Sequence, residues 1–185
     1  MPARDQISLG ILAGGQGLRL GGADKATVRL HGADLLSRTL AAAGPGFLET
    51  LLSYNGSDPR AARPGLSWVA DLRPGHPGPL AGLESLLSRA NGAWLLTLPV
   101  DLRDASPEVL RRLCDSPGGR AVIRDADGLQ PLVAIWPVTE SLRLVSRALD
   151  AGDRAVHPML AQLAMADLDI SPARLGNLNT PHDFE

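Results

Sequence analysis

The residues best equipped for chemistry stand near the N-terminus, in the stretch LAGGQGLRLGGADK from Leu12 to Lys25. Gly14, Gly15 and Gly17 lack Cβ atoms, so the backbone can bend tightly there and bring its N–H groups close to an anion. Arg19 and Lys25 add positive charge: a guanidinium forks onto phosphate oxygens, and an ammonium acts as a mobile point charge. A triphosphate is the ligand that such a loop suits. The stretch is not a Walker loop, because Lys25 follows Asp24 and no glycine-lysine-serine or glycine-lysine-threonine triplet occurs. Nor is it a dinucleotide fingerprint, because Leu20 stands where the third glycine belongs. Glycines after a strand also make an ordinary tight turn, and it is the two cations in the same loop that weigh toward phosphate.

A second chemical group is Asp101, just past the apolar run AWLLTLP. Magnesium takes oxygen ligands, commonly one or two carboxylates plus substrate phosphates and waters, so an aspartate at a strand end can bridge metal and phosphate. The alternative is a turn aspartate ahead of the helix that opens at Ser106. Asp104 reads either as a second carboxylate or as a solvated loop charge. The histidines at 31, 76, 157 and 182 have no metal-ligand spacing, so no zinc site is expected. The lone Cys114 excludes an internal disulfide and a cysteine-based zinc cage, and reads as a buried helical residue in a protein of a reducing compartment.

These groups need a scaffold. Ile7 to Leu12 is an apolar run ending in glycines, as in a buried strand that feeds a loop. The pattern predicts a helix over Asp34 to Ala43, strands at Thr50 to Ser53 and Leu66 to Val69, and a helix over Leu80 to Ala90. Asn55 falls in the turn after the first of those strands, and Asp71 just past the second. Ala93 to Leu98 is the most continuous apolar run and the candidate central strand. Ser106-Pro107-Glu108 supplies an N-cap serine and an N1 proline for a helix to about Cys114. Strands are predicted at Ala121 to Arg124 and Pro131 to Trp136, joined by an Asp127-Gly128 turn. Helices follow at Val138 to Leu149 and Pro158 to Ala164, then a last short strand. Trp68, Trp94 and Trp136 read as core or sheet-face residues, and Arg111-Arg112 as a solvated helix face. This alternation predicts a three-layer α/β/α sandwich with a mainly parallel central sheet.

Length and composition bound the rest. A chain of 185 residues that is 44% hydrophobic and 21% charged suits one domain, here 1–185. A net charge of −2 gives no global field to gather nucleic acid or an anionic membrane surface. No run of eighteen apolar residues is present, and the short apolar N-terminal run leads straight into glycines, so a soluble cytoplasmic protein is expected.

LAGGQGLRLGGADK resembles the opening motif of the molybdenum cofactor guanylyltransferase (MobA) family, which reads LAGG, then arginine-methionine-glycine-glycine, then aspartate-lysine. The resemblance continues through PGPLAGL at Pro77 to Leu83, PVD at Pro99 to Asp101, GLQPLVAIW, DAGDRAV and NLNTPHDF, so it spans essentially the whole chain. It implies a Rossmann-like, nucleotide-diphospho-sugar-transferase-like domain that transfers GMP from GTP to the phosphate of molybdopterin, releases pyrophosphate and uses Mg²⁺. On this resemblance Leu12, Ala13, Gly14, Gly15, Lys25, Asn55, Asp71 and Asp101 bind nucleotide. Arg19, Lys25 and Asp101 are catalytic, with Asp101 the metal ligand. Gly78, Gly82, Asn177 and Asn179 serve the acceptor side, and protein partners are expected among molybdoenzyme-maturation proteins. The chain departs from the family at Leu102-Arg103, where threonine-proline is usual, at Gln130, where histidine often stands, and at Leu20 in place of methionine. The first departure bears on acceptor contacts. Rival readings are a relative using CTP or a sugar or polyol phosphate, and a nucleotide-binding module without activity.

Overall fold

The computed structural model describes residues 2–13, 25–56, 61–75, 78–178 and 183. Nine strands are described: β1 Ile7–Leu12, β2 Arg29–Leu30, β3 Ala33–Asp34, β4 Glu49–Ser53, β5 Leu66–Val69, β6 Trp94–Pro99, β7 Ala121–Asp125, β8 Gly128–Pro137 and β9 Ala166–Asp169. The α-helices are α1 Leu35–Ala43, α2 Pro79–Arg89, α3 Pro107–Cys114, α4 Val138–Asp150 and α5 His157–Gln162. Seven strands form one sheet in the order β5-β4-β1-β6-β8-β7-β9. Only β8 runs against its neighbours, because β6–β8 and β8–β7 are the antiparallel pairs.

Every residue of β1 is buried, Ser8 and Gly10 included, as in a strand covered on both faces. Helices α1 and α3 pack on one face over Ile7, Leu9, Ile11, Leu96 and Leu98. Helices α2, α4 and α5 pack on the other over Leu51, Leu95 and Trp136. This is the three-layer sandwich the alternation predicts, with β6 at the middle of the sheet. Two caps set helix starts from sequence. Asp34 Oδ1 accepts from Ser37 N at 2.8 Å, and Ser106 Oγ accepts from Val109 N at 3.2 Å. No helix among the described residues is long and apolar enough to cross a membrane.

Several expectations shift. Strand β8 begins at Gly128 rather than Pro131, and the turn before it is Ala126-Asp127, with Asp125 paired to Gly128. Val122 pairs with Ala134 but Ile123 with Gln130, so Pro131, Leu132 and Val133 bulge out of the ladder. Pro131 has no N–H to donate, and a bulge is where a strand tolerates that. The β2–β3 ribbon turns through His31 at φ 49° and Gly32 at φ 87°, a tight pair of left-handed residues between strands too short for periodicity to reveal. Helix α5 ends before Ala164, whose φ of 49° breaks it. Trp68 is 41% exposed, because β5 is an edge strand; its ring meets Tyr54 edge-on at 5.0 Å.

Candidate active site

Strand β1 has β4 on one side and β6 on the other, so the crevice for ligands in such a sheet lies beyond its carboxyl end. The backbone fixes that end: Ala13 N donates to Ser53 O at 3.1 Å, and Val100 N donates to Leu12 O at 3.0 Å. Leu12 and Ala13 are thereby locked between the ends of β4 and β6. Gly14, Gly15, Gly17, Arg19 and Leu20 lie outside the described residues.

The chain re-enters the description at Lys25, which starts a 3₁₀ turn over Lys25–Thr27. Lys25 Nζ donates to Asp101 Oδ2 at 2.6 Å, across 76 positions of sequence, with each side chain 18% exposed. The two charges singled out by type thus meet at the carboxyl end of β6. No group of three or more histidine, cysteine, aspartate or glutamate side chains gathers among the described residues. A single carboxylate at a strand end fits a hard divalent cation whose other ligands are phosphate oxygens and water.

On the β4–β5 side the two predicted loop residues grip each other. Asn55 Nδ2 donates to Asp71 Oδ2 at 2.9 Å, and Asp71 N donates to Asn55 Oδ1 at 3.0 Å. The next residues are tied to the helices behind them. Leu72 N donates to Ser85 Oγ at 2.9 Å, and Arg73 forks onto Glu84 through Nε at 2.7 Å and Nη2 at 2.8 Å while Nη1 reaches Asp150 at 2.8 Å. Glu84 is buried. The Arg73 hydrogen bonds hold its carboxyl below the usual glutamate range against the opposing effect of burial. Neither Arg73 nor Glu84 stands out in the sequence, since nothing in their spacing announces a loop-to-helix pair.

Gly78 precedes α2 at φ 91°, a backbone that favours glycine. Gly82 is buried within α2, where a Cβ would come within 2.9 Å of Ser53 Oγ and 3.0 Å of Leu12 Cδ2. Neither glycine lines the cavity that holds Asn177. Gly82 instead lets α2 close down on the root of the glycine loop.

That cavity, of about 220 Å³, has Pro99, Asp101 and Leu102 on one side, the bulge from Gln130 to Val133 on another, and Asn177 on a third. Its C-terminal wall is built by pairing: Leu178 N donates to Asp101 O at 2.8 Å, Leu102 bridges Asn177, and Asp104 N donates to Leu175 O at 2.9 Å. The Leu102-Arg103 departure fits this pairing. Leu102 is 5% exposed and belongs to the core, whereas Arg103 points outward and ion-pairs with Asp183 at 2.5 Å. Asp104 is exposed, as a solvated loop charge would be. Asn179 and His76 lie outside the described residues. Cys114 is buried, and that burial pushes its thiol up to about 11, which leaves it inert at neutral pH.

Known proteins resemble this chain in sequence and in fold. A molybdenum cofactor guanylyltransferase of Pseudomonas syringae pv. syringae is 33% identical over 180 residues, which cover 94% of this chain and 89% of that one. The crystal structure of molybdopterin-guanine dinucleotide biosynthesis protein A from Archaeoglobus fulgidus superposes with a TM-score of 0.76 at 24% identity, covering 96% of this chain and 94% of that one. A Mycobacterium tuberculosis protein crystallised with manganese, 22% identical, shares the fold at a TM-score of 0.71 over 97% of this chain and 95% of its own. The family profile described as the MobA-like NTP transferase domain matches residues 9–166, a span that runs from β1 with its loop through Lys25, Asp71 and Asp101 to the start of β9. By that match and by the identity it shares with the guanylyltransferases, the chain belongs to the MobA-like NTP transferase family.

Proposed function

We propose that this protein is a molybdenum cofactor guanylyltransferase, which transfers GMP from GTP to the phosphate of molybdopterin and releases pyrophosphate. The observation that carries the reading is the Lys25–Asp101 contact at the carboxyl end of the central strand, because it puts a phosphate-seeking cation and a metal-seeking carboxylate in one place. An oxygen of the acceptor phosphate attacks the α-phosphorus of GTP in line, a new P–O bond forms, and the bond from the α-phosphorus to the bridging oxygen breaks. No covalent enzyme intermediate is needed, so catalysis rests on positioning and charge neutralisation.

In this reading Asp101 holds Mg²⁺, which supplies positive charge to the phosphates when bound. Lys25, on a flexible stem, and Arg19 take the β- and γ-phosphates. Leu12, Ala13, Gly14 and Gly15 offer the backbone edge to the nucleotide, and the Asn55–Asp71 pair lies on its far side. Asn177 faces the acceptor in the cavity beside Asp101, and Asn179 is assigned to the acceptor by its motif alone. The protein works in the cytoplasm as a single domain over 1–185, and it hands its product to molybdoenzyme-maturation proteins.

The test is turnover with molybdopterin as acceptor and GTP or CTP as donor. GTP-dependent pyrophosphate release with formation of the guanine dinucleotide is the expected result, and preference for CTP overturns the guanylyl assignment. Tight nucleotide binding without pyrophosphate release from any nucleotide and acceptor marks a module without activity.

A further inference from the structure

Asp125, at the end of β7, is a carboxylate that is 3% exposed and is not itself among the residues that line the cavity. A buried carboxylate is costly unless its oxygens are satisfied, so the partners it has gathered show what it holds. Oδ1 accepts from Asp127 N at 2.9 Å and from Gln130 Nε2 at 3.0 Å. Oδ2 accepts from Leu175 N at 2.9 Å, fifty positions along the chain. One oxygen therefore binds its own turn and the ladder residue just before the β8 bulge, and the other binds the C-terminal segment. A turn-closing aspartate needs only the bond to Asp127 N.

Both distant partners lead to the cavity. Gln130 opens the bulge that forms one wall, and Leu175 stands two positions before Asn177 in the segment that pairs with Asp101 to Asp104. We propose that Asp125 is a positioning residue for the acceptor: it ties the Gln130–Val133 wall to the Leu175–Leu178 wall and so sets the gap into which the acceptor fits beside Asp101. This inference rests on the acceptor reading of that cavity given above.

Asp125→Asn keeps the shape and loses one acceptor oxygen. The expected result is a KM for molybdopterin raised about tenfold or more, as small misplacements of a substrate allow, with the KM for GTP unchanged and faster amide exchange at Leu175 and Leu178. Val145→Ala, a core deletion in α4, serves as the control for general destabilisation and leaves the KM for the acceptor at its wild-type value. An unchanged acceptor KM in Asp125→Asn, or acceptor and GTP KM values rising together, overturns the proposal. If Asp125→Asn does not fold, Asp125→Glu displaces the carboxylate by one methylene, and the same split of KM values decides. Failure of the acceptor reading is separate: wild-type protein then transfers nothing to molybdopterin. In that case unchanged amide exchange at Leu175 in the variant overturns the tie itself, and accelerated exchange supports it.

Discussion

Lys25 Nζ lies 2.6 Å from Asp101 Oδ2, so the cation that returns from the glycine loop rests on the carboxylate at the end of the central strand. Each side chain is 18% exposed, so the pair keeps some contact with water. Lys25→Ala leaves Asp101 a hydrated carboxylate and removes the charge expected to meet the phosphates. Turnover at saturating GTP should fall about 10²- to 10³-fold, in the range seen when one stabilising donor is deleted from an active site. The melting temperature should stay close to wild type. Pyrophosphate release at the wild-type rate from a folded variant removes Lys25 from the site.

The Asn55–Asp71 pair is exposed and joins the ends of two parallel strands by two hydrogen bonds. Asn55→Ala deletes both. A typical hydrogen bond contributes about 1 kcal/mol, so a loop that has to be ordered by the nucleotide itself should raise the KM for GTP by a factor of about 5–30, with kcat little altered. Steady-state kinetics on the folded variant decides: a fall in kcat at constant KM places the pair in the chemical step instead.

Much of this was legible in the sequence, for identifiable reasons. The runs at Ile7–Leu12 and Trp94–Pro99 are mostly apolar because both faces of a central strand are covered, and Ser106-Pro107 fixes the start of α3 by cap chemistry. The charges of the site were legible as types at strand ends, and Lys25 and Asp101 do meet. What stayed hidden depends on contacts between distant segments. The Arg73–Glu84 fork, the reach of Asp125 to Leu175 and the bulge at Pro131 leave no periodic trace. Trp68 looks like any strand tryptophan, because a short apolar run does not say whether it lies at a sheet's edge. Gly82, grouped with the acceptor residues by its motif, owes its burial to the packing of α2.

That packing makes Gly82→Ala informative. Alanine favours a helix over glycine by about 1 kcal/mol, which taken alone stabilises α2. Against it, the new methyl group meets Ser53 Oγ at 2.9 Å and Leu12 Cδ2 at 3.0 Å. The Ser53 hydroxyl has no hydrogen-bond partner among the described residues and can turn aside, whereas Leu12 is the last residue of β1 and its displacement moves the root of the glycine loop. Overpacking of this kind costs about 1–3 kcal/mol, so the net result is a lower melting temperature together with a raised KM for GTP. A higher melting temperature shows that α2 has room, and the close approach is then no constraint.

The Arg73–Glu84 fork predicts an acid-dependent loss of stability. Arg73 hydrogen bonds depress the Glu84 carboxyl below its ordinary value of about 4.5, more than the burial that opposes them raises it. The unfolded chain therefore binds a proton at higher pH than the folded one does. The stabilisation is complete above about pH 4.5 and is lost as the pH falls through the lower folded value. Glu84→Gln removes the charge while keeping a side chain of the same shape, and Arg73 still has Asp150 as a partner. At neutral pH the variant should melt below wild type. As the pH falls below about 4.5 the gap should narrow, and it should close once the pH is below the lower folded value, where Glu84 is neutral in wild type as well. Other depressed carboxyls, Asp34, Glu49 and Asp125 among them, weaken both proteins alike in acid, so the difference between the two melting curves is the quantity to follow. A gap that stays constant from pH 7 to acid shows that the fork acts by shape and not by charge. Because the fork anchors the residues that follow Asp71, the same variant at neutral pH should bind GTP more weakly, and a wild-type KM for GTP would detach the Arg73 anchor from nucleotide binding.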